Sequence, residues 1–352
     1  MAFNTKTDVG DPMNWNFATT LIGSLPYGDA KLAIDKVSDG KISCPAWPQL
    51  PSLGFAESMY VQTGCRLPGV IIDEEAKKIT ADTSSYDATE IYTAILSDDL
   101  SYFEHPEKYH KGFYEFVNRD LSKFKAVKGQ VTGPISEGLQ IQDKEGRSVI
   151  YDEAYSELVI RTVNMTAKWQ SEELSKQNRN VIIFFDEPSL SLLGTPFASI
   201  SNETAVNWIN ESMDGVKCNR AIHCCGNTDW TLVLKTDTDI LSFDAYAYAH
   251  TIAMFPDEVS AFLERGGALS WGIVPSGDDT IASESTDSIV KKFKESIASL
   301  VMKGVNEDMI IKRSLVTPQC GLGPVEPNNA DKALNMLYEV SKAMKEHYGV
   351  RE

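Results

Sequence analysis

Ala221-Ile-His-Cys-Cys-Gly226 is an apolar run that ends in soft donors, and it has a counterpart far downstream in Thr317-Pro-Gln-Cys-Gly-Leu-Gly323. In an extended strand, residues i and i+2 share one side. His223 and Cys225 can therefore grip one metal ion while Cys224 points the other way, into a core. H-x-C alone is also ordinary packing, because free cysteine is among the most buried residue types. A catalytic zinc takes three protein ligands and keeps one position open. Cys320, at the end of the apolar run that starts at Ser314 and just before Gly321, is the candidate third ligand. The fold must then bring two distant strand ends to one place.

Working outward, the chain alternates strand and helix patterns. Val181-Ile-Ile-Phe-Phe185, closed by Asp186-Glu187-Pro188, is the continuous apolar run expected of a parallel strand covered on both faces. Phe17 to Ser24 and Ala126 to Pro134 read as strands ending in Gly-Ser and Gly-Pro. Ile42 to Pro51 reads as a strand running into a loop, broken by Pro45, Pro48 and Pro51. Further strands are expected at 240–246, 268–274 and 314–319. Helical spacing of Tyr155, Leu158, Val159, Thr162, Met165 and Trp169 marks one long helix. A last helix over 328–348 is expected to be capped by Asn328-Asn329. Gly69 to Asp73 and Lys78 to Asp82 resemble a β-hairpin, an excursion over 69–82, and residues 1–16 read as a polar N-terminal arm.

Eight such units in one chain predict a single (β/α)8 TIM barrel over 1–352, with its active site at the C-terminal ends of the strands. Ser24, Gly133, Asp186, His223, Cys225, Asp244, Pro275 and Cys320 all fall at or just past such ends. Trp47, Trp230, Tyr246 and Trp271 are candidates for pocket walls, or else for packing.

The charge balance, 33 Lys plus Arg against 50 Asp plus Glu and a formal net charge of −17, argues against nucleic acid as a partner, since phosphates need a basic footprint. Six cysteines are sparse for 352 residues, and Met1-Ala-Phe-Asn-Thr-Lys lacks a secretory apolar region. No apolar run approaches the ~20 residues that span a bilayer. A cytoplasmic enzyme with reduced thiols, no membrane partner and a small substrate is expected, with metal or catalytic use of cysteine favoured over disulfides.

Five motifs then stand in order: Thr19-Thr-Leu-Ile-Gly-Ser-Leu-Pro26, Val131-Thr-Gly-Pro134, Phe185-Asp-Glu-Pro-Ser-Leu190, His223-Cys-Cys225 and Cys320-Gly-Leu322. Together they resemble the catalytic half of cobalamin-independent methionine synthase, within the uroporphyrinogen decarboxylase-like barrel superfamily. The H-x-C followed by Cys-Gly also resembles zinc methyltransferases that move methyl groups from corrinoid proteins to a small thiol such as coenzyme M. The resemblance implies zinc on His223, Cys225 and Cys320, and an acceptor's amino-acid part held by the Ile22-Gly23-Ser24 turn and Asp186. Asp186 binds a substrate amine or orients a zinc ligand in this reading. The synthases add a glutamate ligand on the strand after H-x-C; here Leu241-Ser-Phe-Asp-Ala-Tyr246 offers Asp244, as fourth ligand, outer-shell group or structural cap. Their His-Gly-Glu acid has no counterpart in Trp47-Pro-Gln-Leu-Pro51, and Glu57 is the candidate substitute. Their folate-assisting second barrel has no room in this length, which points to a methylcorrinoid, free or protein-bound, as donor. Methyl transfer to a thiol such as homocysteine or coenzyme M is the expected activity. A metal-free decarboxylase or lyase of the same superfamily, and a non-catalytic zinc-stabilised partner of a methyl-transfer system, are the alternatives.

Overall fold

The computed structural model describes residues 12–350. Its strands are β1 Ala18–Thr19, β2 Val70–Asp73, β3 Lys78–Ala81, β4 Val127–Thr132, β5 Val181–Asp186, β6 Asn219–Cys224, β7 Ile240–Phe243, β8 Ala268–Val274 and β9 Ser314–Pro318. Seven of them form one parallel sheet in the order β1-β9-β8-β7-β6-β5-β4, and β2 and β3 form a separate antiparallel hairpin. The expected excursion over 69–82 is thus present. The order follows the chain from β4 to β9 and returns to β1, as right-handed βα crossovers produce when a sheet curls.

Alternation along the strands sorts the side chains into two cores. Trp15, Ala126, Ile182, Ala221, Ile240 and Leu315 belong to an apolar cluster on the inner face. Residues one position away, such as Ile183, Phe185, Ile222, Leu241 and Val316, belong to the larger cluster under the helices. Helix Glu153–Ser175 buries Tyr155, Leu158, Val159, Thr162, Met165 and Trp169, as its periodicity predicts. No helix among the described residues is long and apolar enough to cross a membrane.

Four expectations need correction. The Ile42 to Pro51 segment is not a ladder strand, so the described residues give seven parallel strands rather than eight. Its prolines have no N–H to donate. What remains are isolated bridges, Ser24 with Gln49 and Ala46 with Lys128. The segment still bonds to both edges of the sheet. Cys44 N–H donates to Thr19 O at 2.9 Å, and Lys128 N–H to Pro45 O at 2.9 Å. Second, the last helix is Pro327–His347, with Glu326 at its N-cap and Pro at the first turn. Proline's fixed φ suits that position, and the Asn329 amide instead donates to Asp278 at 2.6 Å. Third, of the two readings of Trp47, Trp230 and Trp271, packing holds and the pocket wall does not: all three lie fully inside the outer core. Tyr246 bonds Glu284 at 2.6 Å. Fourth, of the expected arm, residues 1–11 lie outside the described residues, but Trp15 is buried, with its N–H on Lys312 O at 2.7 Å.

Candidate metal centre

Register builds the site. Asp186 stands opposite His223, His223 opposite Ser242, and Ser242 opposite Ser270, so β5 to β8 carry one polar row on the inner face. Cys224, one residue out of phase with His223, turns into the outer core and is fully buried. Cys225 and Cys320 follow the ends of β6 and β9. The donor atoms of His223, Cys225 and Cys320 all lie within 4.8 Å of one another. The two strand ends that are remote in sequence do meet.

The donor chemistry fits a soft divalent ion. His223 is buried; its Nδ1 lies 3.0 Å from Ser242 Oγ, and its Nε2 has no protein partner. With Nδ1 protonated and Ser242 accepting, the lone pair sits on Nε2, where a metal would use it. The two thiols are hydrogen-bonded to each other. The Cys320 thiol, and then His223, pull Cys225 well below the usual thiol range, while that same bond pushes Cys320 up. Tetrahedral zinc accepts this N/S set and leaves a fourth position open.

The remaining candidates sit around this centre in different ways. Asp186 is buried and its Oδ1 has no partner. Burial raises its pKa, opposed first by the Lys128 ammonium. Asp244 caps the helix Ala245–Ile252 by accepting from Ala247 N–H at 2.8 Å, and Gln319 Nε2 donates to both its oxygens at 3.1 Å. It is not among the clustered donors. Burial raises its pKa too. Gly23 and Ser24 lie beside the Cys320 loop: Ser24 O accepts from Leu322 N–H at 2.8 Å and its Oγ from Gly323 N–H at 3.2 Å. A Cβ on Gly321 would meet Ser24 Oγ at 2.0 Å, which explains why glycine follows Cys320. Glu57 is occupied by the protein itself. Its oxygens accept from Lys111 N–H and Gln62 Nε2, both at 3.0 Å, and burial raises its pKa to about 7. Through Gln62 it reaches Gln49, at 2.8 Å.

Several residues of the site went unread in the sequence. Lys128 is fully buried on the inner face; its Nζ donates to Ile22 O and to Gln130 Oε1 at 2.8 Å, and lies 4.2 Å from the Phe184 ring centre. Burial pulls it down to about 7, with Asp186 working the other way. The signal was available: Lys128 shares the inward phase of Ala126. Glu187, which appears in the sequence only as part of the motif that closes β5, is another. It is fully buried and accepts from Ile135 N–H, Ser136 N–H and Ser136 Oγ at 2.9, 2.8 and 2.7 Å. Glu137 is also fully buried, with neither oxygen partnered, and burial raises it well above the carboxylate range.

No family model and no curated protein matches the sequence. Solved structures do match the fold. A B12-independent methionine synthase from Shewanella sp. W3-18-1, in complex with selenomethionine, superposes with a TM-score of 0.57 at 13% identity, covering 95% of this chain and 99% of that one. The fold is like that of this synthase. A methyltransferase from Methanosarcina mazei gives a TM-score of 0.57 at 14% identity, over 92% of this chain and 88% of its own. A putative vitamin-B12 independent methionine synthase from Listeria monocytogenes gives 0.52 at 12%, over 89% and 85%. At these identities the likeness is one of fold, in keeping with the resemblance carried by the motifs.

Proposed function

We propose that the protein is a zinc-dependent methyltransferase that methylates the sulfur of a small thiol. The observation that carries this reading is the convergence of a ring nitrogen of His223 with Cys225 Sγ and Cys320 Sγ, all within 4.8 Å, at the C-terminal ends of parallel strands. In this reading the curled sheet and the bridging segment at 44–49 together make the eight-membered (β/α)8 barrel, whose C-terminal face carries the site. That the Shewanella neighbour is in complex with selenomethionine, the selenium analogue of a methylated thiol, supports this reading.

His223, Cys225 and Cys320 would hold the ion. A zinc ion, when bound there, lowers the pKa of an acceptor thiol and keeps its sulfur nucleophilic at neutral pH. The chain's own groups do the rest. Ser242 would fix the imidazole by accepting from Nδ1, and Gln319 holds both oxygens of Asp244. Asp186, with Oδ1 unpaired, offers a buried acceptor to a polar or cationic group of the thiol substrate. The Gly23–Ser24 turn bounds the other side. In the reaction the acceptor sulfur forms the new S–C bond, and the methyl–donor bond breaks with its electron pair staying on the donor.

We assign a methylcorrinoid as the donor. A protein-borne corrinoid must meet the rim of the barrel, and the loop after β5 exposes apolar side chains there: Phe197 is 80% exposed, with Leu192 nearby in sequence. The test combines the zinc-loaded protein with methylcobalamin and a panel of thiols including homocysteine and coenzyme M, following demethylation by absorbance. Turnover with methyltetrahydrofolate and with no methylcorrinoid would overturn the donor. Bound zinc that responds to no thiol would favour a structural zinc instead.

A further inference from the structure

We propose that Lys128 is a positioning residue for the Cys320 donor, acting through the Ile22–Ser24 turn. The inference rests on the metal-centre reading above.

A fully buried ammonium is costly unless its hydrogen bonds serve a purpose. Among the described residues, no carboxylate lies within salt-bridge distance of Lys128 Nζ. The bonds go instead to the carbonyl of Ile22, the first residue of the turn, and to Gln130 Oε1 at 2.8 Å. Gln130 in turn donates from Nε2 to Trp47 O at 3.0 Å. Its amide fills the space where Gly23 has no side chain: a Cβ at Gly23 would meet Gln130 Cδ at 3.0 Å and Gln49 Oε1 at 2.9 Å. The turn is therefore clamped from below by Lys128 and from the side by Gln130 and Gln49. Its other end holds the Cys320 loop. Ser24 accepts from both Leu322 N–H and Gly323 N–H, and packs against Gly321 so closely that no Cβ fits. Cys320 is the residue before Gly321. A continuous run of contacts thus leads from β4 to a donor at the end of β9, with no direct contact between Lys128 and the thiol.

A merely structural lysine and a positioning lysine differ in what their loss does. Removing the lysine relieves the cost of burying a charge but leaves the Ile22 carbonyl and Gln130 Oε1 without their donor, so stability alone does not tell the two apart. Releasing a group that orients a metal donor typically costs about 10–100-fold in affinity. The experiment titrates Co2+ into metal-free wild-type and Lys128→Met proteins. It reads affinity by chelator competition, the thiolate-to-Co2+ charge-transfer bands, and thermal stability. We expect Lys128→Met, compared at a temperature where it is fully folded, to bind Co2+ about 10–100-fold more weakly, with altered charge-transfer bands. Wild-type affinity and an unchanged spectrum in the folded variant would overturn the proposal. Should Lys128→Met not fold, Ser24→Ala, which cuts the same run of contacts at its far end, decides in the same way. A wild-type protein that binds no Co2+ would overturn the metal-centre reading itself, an outcome distinct from either variant's result.

Discussion

At the N-terminal ends of β6 to β9 the inner face carries Ala221, Ile240, Ala268 and Leu315; two residues further along the same strands it carries His223, Ser242, Ser270 and Thr317. The first level packs into a closed apolar cluster with Trp15 and Ile182. The second holds Asp186 Oδ1, His223 Nε2, Ser270 Oγ and Thr317 Oγ1, buried and without partners. Each such atom costs about 1–3 kcal/mol if nothing meets it. One short step along a strand therefore separates a level that stabilises the fold from a level that the fold must tolerate. The difference locates the site more sharply than any single residue does. It also says that substitutions at the two levels should fail in different ways.

The largest effect is expected at the donors. Cys320→Ser and Cys225→Ser should each lower zinc affinity by more than the roughly 10–100-fold that losing an outer-shell partner costs, and abolish methyl transfer, since a hard hydroxyl replaces a thiolate. Cys224→Ser, on the outer face, should retain zinc and lose only stability. Metal content after dialysis measures both. Full zinc retention in Cys320→Ser would break the three-donor reading.

At the apolar level the expectation reverses. Ile182→Ala should cost about 2–5 kcal/mol in denaturant unfolding and leave the zinc affinity of the folded protein unchanged. A variant that lost metal affinity without losing stability would show that the two levels are not separable.

Acidity gives a third comparison. Burial raises Glu187 from 4.5 to about 7. Between those values the folded protein keeps a proton that the unfolded chain has released, so ν_U − ν_N is negative and stability falls as pH rises. The decline should start near pH 4.5 and level off near 7, with a size on the order of 3 kcal/mol. Glu187→Gln should flatten that part of the stability–pH curve, whatever its effect on absolute stability. An unchanged slope would assign the decline to other buried carboxyls such as Glu137.

How much of this was legible follows from what periodicity encodes. A two-residue period separates Cys224 from His223 and Cys225, so the candidate cluster could be read from the sequence, and the apolar runs mark where the parallel strands lie. Lys128 was equally in phase, but a lone lysine in a strand reads as exposed, and only the curling of the sheet takes both its faces from water. The 42–51 segment reads as a strand because its apolar content is right. Proline's missing N–H, a hydrogen-bonding fact rather than a burial one, reduces it to bridges. Asp244 could be read as ligand or cap. Gln319, adjacent in space but remote in sequence, holds both its oxygens, and no local pattern announces that. The cap at Asn328-Asn329 failed because Pro327 starts the helix one residue sooner.

The smallest effect is expected from the two orphan hydroxyls, and it tests the comparison most finely. Ser270→Ala and Thr317→Val each replace a buried hydroxyl without a protein partner by an apolar group of nearly the same shape. An unpaired hydroxyl has lost its water and gained nothing, so its removal should stabilise the fold by about 1 kcal/mol. Zinc affinity should not change, because neither oxygen is among the donors. A hydroxyl that is bridged by an internal water would behave differently, since such waters make about three hydrogen bonds and are costly to remove. A loss of about 1 kcal/mol or more in either variant would mean that the polar level is satisfied in solution. The two levels would then differ in chemistry but not in what they contribute to stability.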